Sequence, residues 1–246
     1  MSSVPFEEFV KDKTVAIVGP AKYMENLPLG EEIDNHDLVV RVNRSIETID
    51  KYCDNIGSMA DILYTCLIET AQNAGKLDVD KLVNMYKVKY VCAPPVSDMK
   101  GISTETKIHY MANPKTVERI KNNIPFRVVD HRFHTSLAES VDCRPNTGFL
   151  AIYDLLRFKP KCLSIYGFSF YLDGFISGCK DGVEQEKGVT AEEFGHMAFV
   201  SKRHVQKNMW EYAKKTLIDN PRVRLDNVLS KILKLDTLSK DEFYEK

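Results

Sequence analysis

The chain has 246 residues, 43% hydrophobic and 28% charged, the composition of a soluble globular protein long enough to bury a sizeable core. Lys and Arg total 34 against 35 Asp and Glu, so no global charge draws the chain to nucleic acid or to an anionic membrane. No apolar run reaches the roughly 18 residues of a membrane helix, and the acidic first ten residues lack a signal peptide's apolar stretch, which points to a cytoplasmic protein with no membrane span.

Residues 14–18 read as a buried strand, because four consecutive apolar residues suit a sheet covered on both faces. The strand leaves through Gly19-Pro20. A short helix is expected over 25–33, a second strand over 37–42 ending at Asn43, and a third over 60–66 entered through Gly57. A helix over 79–86 precedes a strand over 88–92 that Pro94-Pro95 stops. Another helix is expected over 115–122 and a strand over 126–130. Residues 147–158 carry helical spacing, with Pro145 and Asn146 placed as its start. A strand over 163–166 leads into Gly167, followed by a helix over 201–217, a strand over 222–225 and a last amphipathic helix over 228–235.

Strands alternating with helices imply one α/β domain over residues 1–246, with a core at about 13–225 and a C-terminal helical segment at about 227–246. The sheet should be mostly parallel, with helices on both faces. Residues 94–114 and 177–193 are polar and aperiodic, and the second reads as a mobile lid. The six cysteines are scattered, with neither a CxxC pair nor zinc-like spacing, and read as free, mostly buried thiols of a reducing compartment.

Open parallel sheets bind ligands at the carboxyl ends of their strands, so strand exits and helix starts supply the candidates. Gly19 exposes backbone N–H groups after the first strand. The Asn43 amide is able to donate to or accept from a phosphate or ribose, or simply to shape a turn. Arg41, inside the strand, reads as an ion-paired structural residue. Asn146-Thr147-Gly148 stands where side chains cap a helix and where its orphan N–H groups hold anions. The dinucleotide and ATP phosphate-loop fingerprints are absent, as are GxSxG and HExxH. Asp78-Val79-Asp80 matches a metal-tethering pair only by letters, inside a predicted helix, so no metal is expected. Of the six histidines, His204 is the best-placed general base, because it follows the polar segment and stands near a helix start; His196 is the runner-up.

In order and spacing these segments resemble the sialyltransferases. Residues 15–43, with Ile33-Asp34-Asn35-His36-Asp37-Leu38-Val39-Val40-Arg41-Val42-Asn43, are similar to the family's large motif, and Ile56-Gly57-Ser58-Met59-Ala60-Asp61 to the stretch after it. Pro145-Asn146-Thr147-Gly148 through Tyr166-Gly167-Phe168 resembles the small motif, and His204 ahead of a helix the very small motif. The resemblance spans about residues 14–225. It implies a Rossmann-like glycosyltransferase that moves sialic acid, or another acidic sugar such as KDO, from a CMP-activated donor to the hydroxyl of a glycan or other acceptor. The implied reaction inverts the anomeric carbon and uses no metal or other cofactor. Gly19 and Asn43 would then hold the phosphate and ribose, and Asn146, Thr147 and Gly148 would meet CMP or the donor carboxylate. Tyr166, Gly167 and Phe168 would line the nucleotide pocket, and His204 would deprotonate the acceptor.

Several positions depart from the family pattern. Pro20 replaces an Asn and brings no N–H. Thr14 replaces a Cys, so the family's disulfide between the two large motifs cannot form. Met209 stands where a Glu follows the motif His, with Glu211 two residues on. The aromatic and His-rich third motif is replaced by Phe170-Tyr171-Leu172-Asp173-Gly174-Phe175. With no stem or anchor, the chain looks like a compact bacterial- or virus-type relative. Two further readings stay open. One is a virus-type enzyme that glycosylates a hydroxymethylated DNA base, using a basic face of Lys202, Arg203, Lys207, Lys214, Lys215, Arg222 and Arg224. The other is a non-catalytic nucleotide binder.

Overall fold

The computed structural model describes residues 4–69, 76–95, 114–180, 183 and 187–245. Seven strands form one sheet: β1 (Thr14–Val18), β2 (Leu38–Val42), β3 (Ile62–Tyr64), β4 (Tyr90–Ala93), β5 (Phe126–Val128), β6 (Cys162–Tyr166) and β7 (Val223–Leu225). Their order is β5-β4-β3-β2-β1-β6-β7, and every neighbouring pair is parallel. The chain thus grows outward from β1 on one side and restarts at β6 on the other. Between β1 and β6 lies the topological switch point, where open α/β sheets leave a crevice beyond the strand ends.

Strand alternation builds two cores. Val15 and Ile17 of β1 join one hydrophobic cluster, Ala16 and Val18 the other. The first face is covered by α1 (Phe6–Val10), α5 (His131–Ser140), α6 (Thr147–Arg157), α8 (Gln206–Leu217) and α9 (Asn227–Ile232), which contribute Leu137, Phe149, Trp210 and Ile232. The second is covered by α2 (Gly30–Asp34), α3 (Ile49–Ile56), the helical turn Lys81–Met85 and α4 (Pro114–Lys121), through Ile33, Ile56, Leu82 and Ile120. Outside these layers, α7 (Ala191–Phe199) follows the polar segment, and α10 (Lys240–Glu245) closes the chain.

Several expectations shift. The helix foreseen over 25–33 splits into a 3₁₀ turn, Lys22–Asn26, and α2, because Pro28 between them cannot continue a helix. The helix foreseen from 201 begins only at Gln206. Before it, the Ser201 hydroxyl accepts the N–H groups of Arg203 (3.2 Å) and His204 (3.3 Å), a local turn that competes with the helix. Residues 227–245 hold two short helices, Asn227–Ile232 and Lys240–Glu245, rather than one. Helices α1, α3, α5 and α7 were not foreseen, and α7 starts inside the segment read as a lid. Residues 181–182 and 184–186 of that segment, and 96–113 of the other polar stretch, lie outside the described residues. Of the six free cysteines, Cys92 and Cys179 are buried and Cys53 is exposed, so the thiols are less buried than expected.

Arg41 is structural, but not through an ion pair. It is fully buried, and its guanidinium donates to the carbonyls of Ile56 (2.7 Å), Gly57 (3.0 Å) and Met59 (2.7 Å), tying β2 to the end of α3. Burial lowers its pKa to about 10.

Candidate functional site

A cleft of about 740 Å³ opens over the carboxyl ends of the strands. Pro20 and Ala21 follow β1, Asn43 follows β2, Cys66 lies beyond β3, Pro94 beyond β4, and Gly167 and Phe168 follow β6. Its floor is the switch point. There the chains leaving β1 and β6 touch backbone to backbone: Gly19 N–H donates to the Tyr166 carbonyl (2.8 Å) and Ala21 N–H to the Gly167 carbonyl (3.0 Å). A Cβ on Gly19 would stand 2.3 Å from the Gly167 oxygen, and one on Gly167 (φ +74°) 2.5 Å from the Gly19 oxygen. Both positions therefore demand glycine for close approach. Gly19 itself lies behind the lining rather than in it.

A buried carboxylate fixes this floor. Asp226 Oδ2 accepts the Gly167 N–H (2.9 Å) and the Tyr23 hydroxyl (2.6 Å), while its Oδ1 caps α9 through the Leu229 N–H (2.7 Å). Burial pushes the Asp226 carboxyl up from its ordinary pKa, and burial with the neighbouring carboxylate pushes the Tyr23 phenol up. Asp173 adds a second tie by accepting the Tyr23 N–H (2.6 Å). None of these three residues was foreseen. Asp226 ahead of an amphipathic helix carried a capping signal.

The start of α6 meets the same floor. Asn146 is its N-cap, and its side-chain oxygen accepts the Phe149 N–H (2.9 Å). The Leu150 N–H already bonds the Asn146 carbonyl, so the N–H groups of Thr147 and Gly148 are the remaining donors of that first turn. Gly148 lets the Phe168 ring lie against the helix, since a Cβ there would come 2.7 Å from it. Asn43 sits at φ +50°, a left-handed position that Asn tolerates, and its side-chain oxygen accepts the Cys66 N–H (3.0 Å). It both shapes the β2 exit and lines the cleft.

Tyr166 does not reach the cleft. In register with Val18, it points to the second core, and its hydroxyl donates to Glu32 Oε1 (2.7 Å). Of the candidates foreseen, Asn43, Asn146, Thr147, Gly148, Gly167, Phe168 and His204 line the cleft; Gly19 and Tyr166 do not.

His204 faces the cleft from the turn before α8. Its Nδ1 lies 2.7 Å from the Arg144 carbonyl, an acceptor only, so Nδ1 carries the proton and Nε2 is bare. In return the Arg144 N–H donates to the Arg203 carbonyl (3.2 Å). Burial, with Arg203 and Arg144 nearby, lowers the His204 pKa to about 4, so the ring is neutral at physiological pH. Among the described residues no carboxylate is hydrogen-bonded to it. Met209 is buried in the core, and Glu211 is half exposed, 4.0 Å from Lys207. His196 is exposed on α7, outside the lining.

Residues 170–180 and α7 supply a wall of the cleft. It is fastened to the β1 exit by the Ile176 N–H on the Pro20 carbonyl (2.8 Å) and by a bridge between Ala21 and Phe175. Phe175 and Phe194 stack with centroids 6.0 Å apart. The Lys180 ammonium lies 5.5 and 5.6 Å from these two rings, and that of Lys187 5.4 Å from Phe194. Four cationic side chains, Arg144, Lys180, Lys187 and Arg203, line the cleft, and no Asp or Glu among the described residues does. Of the seven residues foreseen as one basic face around α8, three are engaged elsewhere, while Lys202, Lys207, Lys215 and Arg222 are exposed. Arg203 turns to the cleft, Lys214 donates to the Leu235 carbonyl (2.6 Å), and Arg224 lines a separate groove beside Tyr166.

The profile of glycosyltransferase family 29, the sialyltransferases, matches residues 6–173, a span that ends before His204. No curated protein sequence matches. Among solved structures, the monofunctional alpha-2,3-sialyltransferase Cst-I from Campylobacter jejuni aligns with a TM-score of 0.58 at 12% identity, covering 97% of this chain and 84% of that one. A variant of the sialyltransferase CST-II in complex with CMP gives 0.53 at 12% identity, over 82% of this chain and 77% of that one. CST-II in complex with a trisaccharide acceptor and CMP gives 0.51 at 11% identity, over the same 82% and 77%. At such identities the likeness is one of fold.

Proposed function

Because the chain belongs to glycosyltransferase family 29, the sialyltransferases, we propose that its cleft binds a CMP-linked sialic acid and passes the sugar, with inversion and without a metal, to an acceptor hydroxyl. The observation that carries this reading is the meeting, in one cleft, of a helix N-terminus and a neutral imidazole with a bare Nε2. CST-II is seen with CMP, which supports a cytidine nucleotide as the donor part.

In this reading the phosphate of the donor lies at the first turn of α6, against the N–H groups of Thr147 and Gly148 and the positive end of the helix. Asn43 and Asn146 flank it, and Phe168 and Gly167 bound the nucleotide. Pro20 brings no N–H, so these donors replace the contact that an Asn would have given. The acceptor oxygen attacks the anomeric carbon from the face opposite CMP. As the new C–O bond forms, the bond to the phosphate oxygen breaks and CMP leaves with its electron pair. The acceptor proton passes to His204 Nε2. The negative charge that grows on the phosphate meets donors already in place, which lowers the barrier without reorganisation. Arg144, Lys180, Lys187 and Arg203 supply the positive field that a divalent cation would otherwise supply, and a cation would find no carboxylate on the described lining. The donor's anionic charge also offsets the two arginines beside His204, so its basicity rises when the donor is bound.

A thermal-shift series with CMP, UMP, UDP and GDP tests the donor class, since a ligand of the native state raises its melting temperature. A shift confined to CMP is expected. A shift with UDP or GDP and none with CMP would overturn the assignment. Transfer from CMP-sialic acid that survives EDTA is the companion result; loss with EDTA and recovery with manganese would refute metal independence.

A further inference from the structure

His204 is gripped at three points. The Ser201 hydroxyl accepts its N–H (3.3 Å), and its Nδ1 meets the Arg144 carbonyl (2.7 Å). The third grip is on its own carbonyl oxygen, which accepts from the amide Nε2 of Gln206 (2.5 Å). Gln206 is the first residue of α8 and lines the same cleft. It is only 2% exposed, a place where an amide needs partners for all its polar atoms. The His204 carbonyl is an acceptor only, which fixes the amide with Nε2 toward it. The other end, Oε1, finds no donor among the described protein groups. A buried acceptor without a donor costs stability, whereas an apolar side chain of the same shape carries no such cost. Folding alone therefore does not account for an amide at this position. What the amide adds is one hydrogen bond, and that bond ends on the residue that carries the imidazole.

Resting on the reading of His204 as the base, we infer that Gln206 is its positioning residue: the amide holds the His204 peptide so that the ring stays on the Arg144 carbonyl and Nε2 stays open to the acceptor hydroxyl. Gln206 acts through the main chain and touches no reacting atom. Without the amide the peptide is free to rotate, the ring leaves its carbonyl, and the imidazole meets water. Burial is the largest influence that keeps the ring neutral, with Arg203 and Arg144 adding to it, and no carboxylate is hydrogen-bonded to it among the described residues. Exposure therefore raises its affinity for a proton.

The test is Gln206→Met in the full chain, which keeps the shape of the side chain and removes the donor. Transfer from CMP-sialic acid to lactose should show kcat lowered about ten- to a hundredfold, the order of a displaced catalytic group, with donor KM within about twofold of wild type. The melting temperature should hold or rise, the opposite of what the loss of a structural bond gives. The ring nitrogen chemical shifts of His204, assigned by comparison with His204→Ala, read its position without turnover. At pH 6.5 the wild-type ring should be neutral with its proton on Nδ1. In the variant a protonated fraction should appear, up to about half for a ring released to water. An unchanged kcat overturns the inference, as does an unchanged ring. A melting temperature that falls together with kcat makes the amide structural and overturns it too. A rise in donor KM with kcat unchanged places Gln206 on the donor and has the same result. If neither protein transfers sugar, the functional reading fails and the ring nitrogens decide alone. A protonated fraction in the variant then keeps Gln206 as the residue that holds the imidazole, and its absence removes it.

Discussion

The two sides of the cleft are made differently. On the floor, Gly19 and Gly167 leave no room for a Cβ, the strand exits exchange backbone hydrogen bonds, and Asp226 and Tyr23 lock the turn from beneath. On the wall, Phe170 and Tyr171 occupy left-handed backbone positions, φ +53° and +63°, that bulky residues rarely adopt, and rings and lysines gather in front of them. Such residues cost about 1–3 kcal/mol each and persist where the surroundings over-determine them. The floor's residues answer to the chain's own geometry. The wall is mixed: Leu172, Ile176 and Cys179 are buried in the two cores, whereas Phe175, Phe194, Lys180 and Lys187 line the cleft. Substitutions on the floor should therefore lower stability and activity together, and those facing the cleft should lower activity alone.

The largest effect sharpens that division. His204→Ala should lower transfer about a hundred- to ten-thousand-fold and leave CMP affinity and melting temperature near wild type, because a base acts chiefly in the transition state. His196→Ala, exposed and away from the cleft, is the control. If the control loses turnover and His204→Ala keeps it, the base is misassigned. The same imidazole sets a pH signature. Its pKa near 4 means that the bare Nε2 is lost only as pH falls toward that value, so kcat/KM should stay level through 6.5 and drop below about 5. A descent centred on 6.5 would point to a more exposed base.

Next comes the floor. Gly19→Ala pushes a methyl to 2.3 Å from a backbone oxygen, and should cost about 3 kcal/mol or more in urea unfolding together with activity. An alanine variant as stable as wild type would break the comparison. A smaller cost, about 1–2 kcal/mol, is expected for Asp226→Asn, which keeps one acceptor oxygen for the Gly167 N–H but turns an amide NH2 toward the Leu229 N–H and loses the charge that strengthens these bonds. Smallest is Phe175→Leu on the wall: transfer should fall about two- to tenfold with little change in unfolding free energy, because the ring lines the cleft. A variant that unfolds readily would mean that the ring is core rather than contact surface.

Much of the floor was legible and little of the wall. Runs of apolar residues marked β1, β2 and β6, and Asn146 after Pro145 marked the start of α6, because burial and capping are local demands. The face to which Tyr166 points was not legible. Alternation says that neighbours diverge, but which side holds a helix and which a ligand depends on the strands beside it. Arg41 read as half of an ion pair because its true partners are carbonyl oxygens, which every residue has. The wall left one usable trace. Thr190 and Glu193 form a reciprocal capping box, with Thr190 N–H on Glu193 Oε2 (2.7 Å) and Glu193 N–H on Thr190 Oγ1 (3.2 Å), a pattern that announces α7. The partner that orients His204 left none, since it is a peptide carbonyl.

That carbonyl has a consequence for how the protein tolerates mutation. A histidine steered by a carboxylate side chain is undone by a single codon change at the carboxylate. Here the steering oxygen belongs to the Arg144 peptide group, which every substitution at that position retains. Vulnerability moves instead to whatever sets the path of the main chain, and the next residue is Pro145, whose ring fixes its own φ before the cap of α6. Inherited defects in proton transfer should thus concentrate at Pro145 and the first turn of α6 and arrive together with defects in holding the nucleotide, so that the two functions drift as one trait.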